Sequence, residues 1–250
     1  MRNKQIIYDN DAFFQGYQEL RENPYNYNLL IEHPALTALL PDLNGKTVLD
    51  MGCGFGEMCM EYYERGAEFV TGIDMSEKML QQARKHQNNK TEFLCMDMCD
   101  IKELNKKYDI ITSSLAVHYV ADWAELVQNV FACLNDNGIF LFSQEHPLTT
   151  APMNGAEYEH DTDGSGIHYR LTDYGRSGER SIEWFVDGVV KYHRTFSEIL
   201  NTLISAGFRI DELKEPLPTA QAIEKNPKMV KEFHKPSFLL VKAVKALSEK

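Results

Sequence analysis

Between Lys46 and Asp74 the chain runs from a short apolar segment into a glycine loop, then through a helical stretch to a second apolar segment that ends on a carboxylate. The loop side reads Lys46-Thr-Val-Leu-Asp-Met-Gly-Cys-Gly-Phe-Gly56, and the acid side reads Phe69-Val-Thr-Gly-Ile-Asp74. Short apolar strands alternating with helices bury both faces of a parallel sheet. Glycines at a strand end let the backbone approach a ligand closely, and an acid at the next strand end accepts hydrogen bonds from vicinal ribose hydroxyls. The pattern therefore predicts an α/β chain that holds a nucleoside. Its glycines fall at Gly52, Gly54 and Gly56. The dinucleotide fingerprint wants glycine or alanine three positions after its second glycine, where Glu57 stands, so the spacing argues against a dinucleotide.

The 250 residues suffice for one substantial core, and the balance of 26 basic against 37 acidic side chains gives a formal charge of −11. That excess opposes a long phosphate backbone, which needs clustered Lys and Arg to replace counterions. The basic stretch Lys225–Lys235, broken by Pro227 and Glu232, reads as a solvated face, so nucleic acid is not the expected partner. No segment approaches the roughly 18 apolar residues of a membrane span, and the N-terminus lacks the apolar run of a secretory signal. Five cysteines (Cys53, Cys59, Cys95, Cys99, Cys133) form no disulfide framework, and Cys95-x3-Cys99 has no second ligand pair at a zinc-like spacing. Reduced thiols in a cytoplasmic protein, with no metal, are expected.

Helical spacing marks residues 9–40, and Asp42-Leu-Asn-Gly45 reads as a turn. Strands are expected at Thr47–Asp50, Phe69–Asp74, Phe93–Met96, Tyr108–Ser113, Ile139–Ser143, Phe208–Leu213 and Phe238–Val244. Helices fill the gaps: Gly56–Arg65 before Gly66, one capped by Ser76 with Met79, Leu80 and Ala83 inward, and one opened by Asp122. Behind Asp122, Trp123, Leu126, Val127, Val130, Phe131 and Leu134 form a core stripe. Residues 146–194 break the alternation, and Asp187-Gly188 between apolar-rich runs predicts a hairpin turn. A helix resumes near Ser197 with Ile199, Leu200, Leu203 and Ile204, and ends at Gly207. In such sheets ligands bind at the carboxyl ends of strands, so the loops after Asp50, Asp74, Asp97, Ser113 and Ser143 should converge.

Taken in order, these motifs resemble the class I S-adenosylmethionine-dependent methyltransferases, over roughly Asp9 to Lys245. The resemblance implies one Rossmann-like, doubly wound domain with a seven-stranded, mostly parallel sheet whose last strand is antiparallel. It divides the chain into an N-terminal helical cap (1–44), a cofactor-binding core (45–145), a substrate lid inserted after the fifth strand (146–194) and the end of the sheet (195–250). It places Asp50, Gly52, Cys53, Gly54 and Gly56 along the methionine part of S-adenosylmethionine, Asp74 on the ribose, and Met75 against the adenine. Asp97 and Met98 would meet the adenine amino group and a ring nitrogen, unless Asp97 is only a helix cap. Ser114 and Leu115 would present a backbone carbonyl to the cofactor's amino group, and Tyr17 and Arg21 would reach its carboxylate, unless they are a surface pair. Ser113-Ser114-Leu115-Ala116 lacks the Asn/Asp-Pro-Pro-aromatic signature of enzymes that methylate nucleobase amines, and with His118-Tyr119 it looks like the small-molecule, quinone-methylating branch.

Methyl transfer is an in-line displacement in which the protein supplies alignment and a water-poor cleft. A hydroxyl acceptor gains from a nearby base, and histidine has a suitable intrinsic pKa. His146, closing the fifth strand, is the leading candidate base, with ordering of the lid entrance as its alternative. His193 is a second candidate. His118, Tyr169, Trp184, Tyr192 and Arg194 are candidate acceptor contacts, Arg194 as a clamp for an anion; His118 could also face the cofactor loop or act as a base, with a hydrogen-bonded junction as its alternative, and core packing is the alternative for Trp184. The expected reaction is methylation of a small molecule, preferably on oxygen, releasing S-adenosylhomocysteine. A nicotinamide-dependent oxidoreductase, a non-catalytic adenosyl-ligand module, and methylation of RNA or protein are the alternatives. Monomer and homodimer both stay open.

Overall fold

A computed structural model describes residues 9–155, 157–162 and 167–246. Seven strands form the main sheet: β1 (Thr47–Met51), β2 (Phe69–Asp74), β3 (Thr91–Cys95), β4 (Tyr108–Ser113), β5 (Leu134–Glu145), β10 (Phe208–Lys214) and β11 (Phe238–Lys245). Their spatial order is β10-β11-β5-β4-β1-β2-β3. β1 to β5 are parallel, whereas β11 runs antiparallel to both β5 and β10. The chain leaves β1 toward β2 and β3, then returns to place β4 on the other side of β1. That reversal opens a crevice at the carboxyl ends of β1 and β4, where open α/β sheets take their ligands.

Both faces are covered, and alternation along each strand feeds two cores. On one face α5 (Trp123–Cys133) presses Trp123, Leu126, Val127 and Val130 onto Phe140 and Phe142, with Ile199 and Leu203 of α7 (Phe196–Ser205) beside them. On the other, Tyr62 of α3 (Glu57–Glu64) and Leu80 and Ala83 of α4 (Glu77–Ala83) cover Val48, Val70 and Ile110. Asp122 caps α5 by accepting the Glu125 amide at 2.9 Å, and Ser76 caps α4 by accepting that of Met79 at 3.2 Å.

The N-terminal segment is α1 (Asp11–Glu22), a π-helical turn (Asn28–Glu32) and α2 (His33–Leu39). After β5 come the short α6 (Pro147–Thr150) and two hairpins, β6 (Glu157–His160) with β7 (Ile167–Arg170), and β8 (Gly178–Trp184) with β9 (Val186–His193). The tip of the β8–β9 hairpin rests on α1: Phe13 meets Trp184 and Phe185 edge-on at 5.2 and 5.5 Å between ring centroids. Gly16 permits this approach, since a Cβ there would stand 2.7 Å from Phe185.

Several expectations change. The β8–β9 turn lies at Phe185 (φ 59°), not at Asp187-Gly188, because the aromatic tip is drawn onto α1. Gly188 (φ 78°) instead absorbs a register shift within β9. β5 starts at Leu134 and makes an excursion through Asn137 (φ 59°) before pairing resumes at Ile139. Residues between β10 and β11 form α8 (Ala220–Lys225) and a 3-10 stretch (Pro227–Phe233), and Lys235 is buried, donating to Thr149 Oγ1 at 2.7 Å, so the basic stretch is not wholly a solvated face. Among the described residues no helix is long and apolar enough to cross a membrane, and no cluster of His, Cys, Asp and Glu is arranged to hold a metal.

Candidate active site

The loop after β1 takes its shape from three left-handed glycines, with φ of 75° at Gly52, 54° at Gly54 and 78° at Gly56. The amides of Gly52 and Cys53 donate to the Ile73 carbonyl at 2.8 and 2.9 Å, which ties the loop to the end of β2. Asp74 completes the junction: Oδ2 accepts the Gly54 amide at 3.0 Å and Oδ1 accepts that of Ser76 at 2.8 Å. Burial pushes the Asp74 carboxyl up, and the Ser76 and Gly54 amides oppose that shift. An ionised carboxylate has about four acceptor sites, so with the Met75 amide also engaged some capacity stays available to a hydroxyl. A Cβ at Gly54 would meet nothing within 4 Å, whereas one at Gly52 would stand 2.5 Å from the Ala116 Cβ. The loop thus leaves a cradle over Gly54 beside a carboxylate.

A cleft of about 140 Å³ opens there. Its floor comes from Gly52, Gly54, Asp74 and the loop after β4, Ser114 to Ala116; Tyr17, Arg21 and Asn28 wall it from the N-terminal segment; His118, Tyr119, Glu145 and Trp184 close the far end. Of the candidates read from sequence, Tyr17, Arg21, Gly52, Gly54, Asp74, Ser114, Leu115, His118 and Trp184 are brought together on this cleft. Arg21 pairs with Glu57 at the start of α3.

Asp50 and Cys53 are placed differently. Asp50 lies beneath the loop, 3% exposed, accepting the Thr112 hydroxyl at 2.9 Å and the Cys59 thiol at 3.5 Å. Burial raises its pKa to about 6 despite those donors. It braces the strand end instead of lining the cleft, and Cys53 is likewise buried. Gly56 opens α3 on the outer side of the loop. Met75, Asp97 and Met98 do not line the cleft; Asp97 caps the following 3-10 stretch by accepting the Cys99 amide at 2.9 Å.

The two candidate base histidines stand apart from the cleft. His146 is fully buried as the N-cap of α6, its Nδ1 accepting the Leu148 amide at 3.1 Å, which leaves Nε2–H to donate to Glu215 at 2.7 Å. His193 donates from Nε2 to the Tyr174 carbonyl at 2.9 Å and accepts the Thr150 hydroxyl on Nδ1 at 2.8 Å. With both ring nitrogens engaged, each imidazole is a structural tie. Arg194 is no clamp either: its guanidinium donates to the carbonyls of Val120 and Ala121 and lies 5.7 Å over Trp123, and burial brings its pKa down to about 10. The Tyr192 ring packs beside Arg194 at 5.9 Å, and the Tyr169 hydroxyl donates to the Leu148 carbonyl at 2.6 Å, so neither lines the cleft.

Two features escaped the sequence reading. Glu32 is 2% exposed, and its Oε1 accepts the hydroxyls of Ser114, at 2.9 Å, and Ser143. Burial pushes its carboxyl up against the lowering effect of those serines. A lone acid after the apolar Leu29-Leu-Ile was the available signal. The second is the ion pair of Lys191 on β9 with Glu145 at the end of β5. Lys191 shares the inward face of β9 with Val189 and His193, a placement that strand alternation allows one to read.

Around the far end, burial drives the His118 pKa down to about 4. Its Nδ1 receives the Glu145 amide at a long 3.5 Å. Burial alone would raise the Glu145 carboxyl, but Lys191, with His118 and Lys235 behind it, holds it below the usual carboxylate range. The cleft is therefore lined there by a neutral imidazole and an ionised carboxylate, together with the Tyr119 and Trp184 rings.

Comparison with known proteins fits this geometry. Residues 48–138 match the methyltransferase domain family. An S-adenosylmethionine-dependent methyltransferase of known structure from Mesorhizobium loti is 38% identical, with a TM-score of 0.79 over 85% of this chain and 97% of that one. A protein of Haemophilus influenzae described only as uncharacterized is 40% identical over 98% of this chain and 99% of its own length. The ubiquinone biosynthesis O-methyltransferase of Neisseria meningitidis is 37% identical over 41% of this chain, a match that spans only 45% of that enzyme. Kinship of this kind sets aside the nicotinamide-dependent alternative, and the chain belongs to the S-adenosylmethionine-dependent methyltransferases of class I.

Proposed function

We propose that the protein methylates a hydroxyl oxygen on a small molecule held beside Glu145, Tyr119 and Trp184 in the cleft. The observation that carries this reading is the Glu145 carboxylate, a proton-accepting group that lines the same cleft as the Asp74 cradle. In this assignment Asp74 takes the ribose hydroxyls, and the Gly52–Gly56 loop follows the methionine part. Arg21 and Tyr17 face the cofactor carboxylate, and the Ser114–Leu115 turn faces its amino group. Met75, Asp97 and Met98 stay assigned to the adenine side. When bound, S-adenosylmethionine supplies a methyl on cationic sulfur; the S–CH3 bond breaks with its electron pair left on sulfur as an oxygen pair forms the new bond. Glu145, paired with the Lys191 ammonium, receives the hydroxyl proton, and His118, neutral at physiological pH, adds no further positive charge beside it. The insertion 146–194 acts as a lid, its hairpin tip bearing on α1 over the cofactor. The O-methyltransferase named among the relatives supports a small-molecule acceptor.

The test is transfer of labelled methyl from S-adenosylmethionine to catechol and other hydroxylated aromatics, alongside calorimetric titration with S-adenosylmethionine and S-adenosylhomocysteine. Label in the small-molecule fraction, with cofactor binding weakened by Asp74→Ala, is the expected result. Label confined to RNA or protein, or tight cofactor binding with no turnover on any acceptor, overturns the reading.

A further inference from the structure

Lys191 presents a charge where an apolar residue would pack as well. Its side chain is 6% exposed, and alternation along β9 sets it between the fully buried Val189 and His193. Its Nζ pairs with Glu145 Oε1 and stands 4.8 Å from the Trp184 ring centroid and 5.9 Å from that of Tyr119. All three partners line the cleft, and they come from three places in the chain: the end of β5, the hairpin tip and the turn after β4. A buried ion pair is a poor source of net stability, since desolvation takes back most of the Coulombic gain. What the ammonium adds is an ionised, fixed carboxylate at the acceptor end.

We propose that Lys191 is a positioning residue: carried in by the β8–β9 hairpin, it fixes the Glu145 carboxylate as the hydrogen-bond acceptor for the incoming hydroxyl, so docking of the hairpin and readiness of the site are one event. This rests on the hydroxyl-acceptor reading and adds to it the group that prepares the base. The other charged or titratable groups facing Glu145 are His118, from the turn after β4, and Lys235, ahead of β11. His118 is neutral near pH 7, and Lys235 donates to Thr149 and has Glu232 as its own counter-charge, so the direct contact is that of Lys191.

The test follows the Glu145 carboxyl itself in protein loaded with S-adenosylhomocysteine and labelled with carboxyl-13C glutamate, the resonance being assigned by its loss in Glu145→Gln. In Lys191→Met its titration midpoint is expected to rise by about one pH unit or more, because burial then acts without the counter-charge. Lys191→Arg restores the midpoint, Lys191→Gln repeats the methionine result should that variant fold poorly, and affinity for S-adenosylhomocysteine stays within about threefold throughout. A midpoint unchanged in both the Met and Gln variants overturns the role of Lys191 while leaving the acceptor reading intact. A shifted midpoint together with methyl transfer only to amines or macromolecules overturns the acceptor reading, and with it the proposed task of Glu145.

Discussion

Glu32, from the π-helical turn before α2, accepts the Ser114 hydroxyl at 2.9 Å across 82 residues of sequence. The same carboxyl takes the hydroxyl of Ser143, whose own Oγ and carbonyl receive the Leu115 amide at 3.0 and 3.1 Å. The N-terminal segment thereby holds the ends of β4 and β5 in register at the point where Leu115 is forced to φ 52°. π-Helical turns recur at functional sites, and here the turn sets an acid under the cleft.

Glu32→Ala should leave the buried Ser143 hydroxyl and the half-buried Ser114 hydroxyl without their acceptor and cost about 1–3 kcal/mol, whereas Glu32→Gln keeps an acceptor oxygen and costs less. The native carboxyl is held above its usual pKa, so its contribution is full at low pH and is lost as pH rises through the folded value. Stability of Glu32→Gln relative to wild type should therefore improve from about pH 4.5 upward, as read by urea unfolding. A difference independent of pH would show that Glu32 titrates normally.

His118 gives the opposite sign. Its folded pKa, near 4, lies below its ordinary value of 6.5, so the protein should lose stability as pH falls from about 6.5 to about 4. The shift corresponds to about 3 kcal/mol at the acid end of that window, since one pKa unit is about 1.4 kcal/mol. His118→Asn should flatten this part of the stability profile; parallel profiles for the two proteins would refute the assignment.

The glycine loop separates strain from ligand access. Gly52→Ala places a Cβ 2.5 Å from Ala116 on a backbone at φ 75°, so both folding and cofactor affinity should fall, stability by about 2 kcal/mol or more. Gly54→Ala meets open space, so it should cost only the left-handed penalty of roughly 1 kcal/mol. It should nevertheless weaken S-adenosylhomocysteine binding tenfold or more in calorimetry, because its methyl fills the cradle. Unchanged affinity would place the cofactor elsewhere.

His146→Ala should behave as a lost helix cap. Thermal or urea unfolding should register a loss of about 1–2 kcal/mol, with turnover of the folded fraction within roughly twofold of wild type and much of the stability restored in His146→Asn. Abolished turnover with unchanged stability would return His146 to the list of bases.

Strand and helix order, the Ser76 and Asp122 caps, and the left-handed loop with Asp74 beside it were all legible in the chain. Each depends on interactions within a few residues or on periodicity: a cap needs a side chain and an amide three positions on, and a buried strand needs an apolar run. That local logic identified β1, β2 and β4 and the glycine loop that meets Asp74 with no tertiary information. Contacts between segments far apart in sequence decided the rest. His146 and His193 look like bases in the chain, yet Glu215, Tyr174 and Thr150 occupy their nitrogens, and no periodicity brings those partners into view. Asp187-Gly188 has the chemistry of a tight turn, but the packing of Phe185 and Trp184 on Phe13 outweighed it and moved the turn to Phe185. Glu145, Lys191 and Glu32 acquire their roles only through burial and pairing, because a charge's state depends on which charges and dipoles the fold places around it. Local residue chemistry determined the scaffold and the glycine loop with its acid, and tertiary packing decided which ionisable groups line the cleft and which are tied up inside the fold.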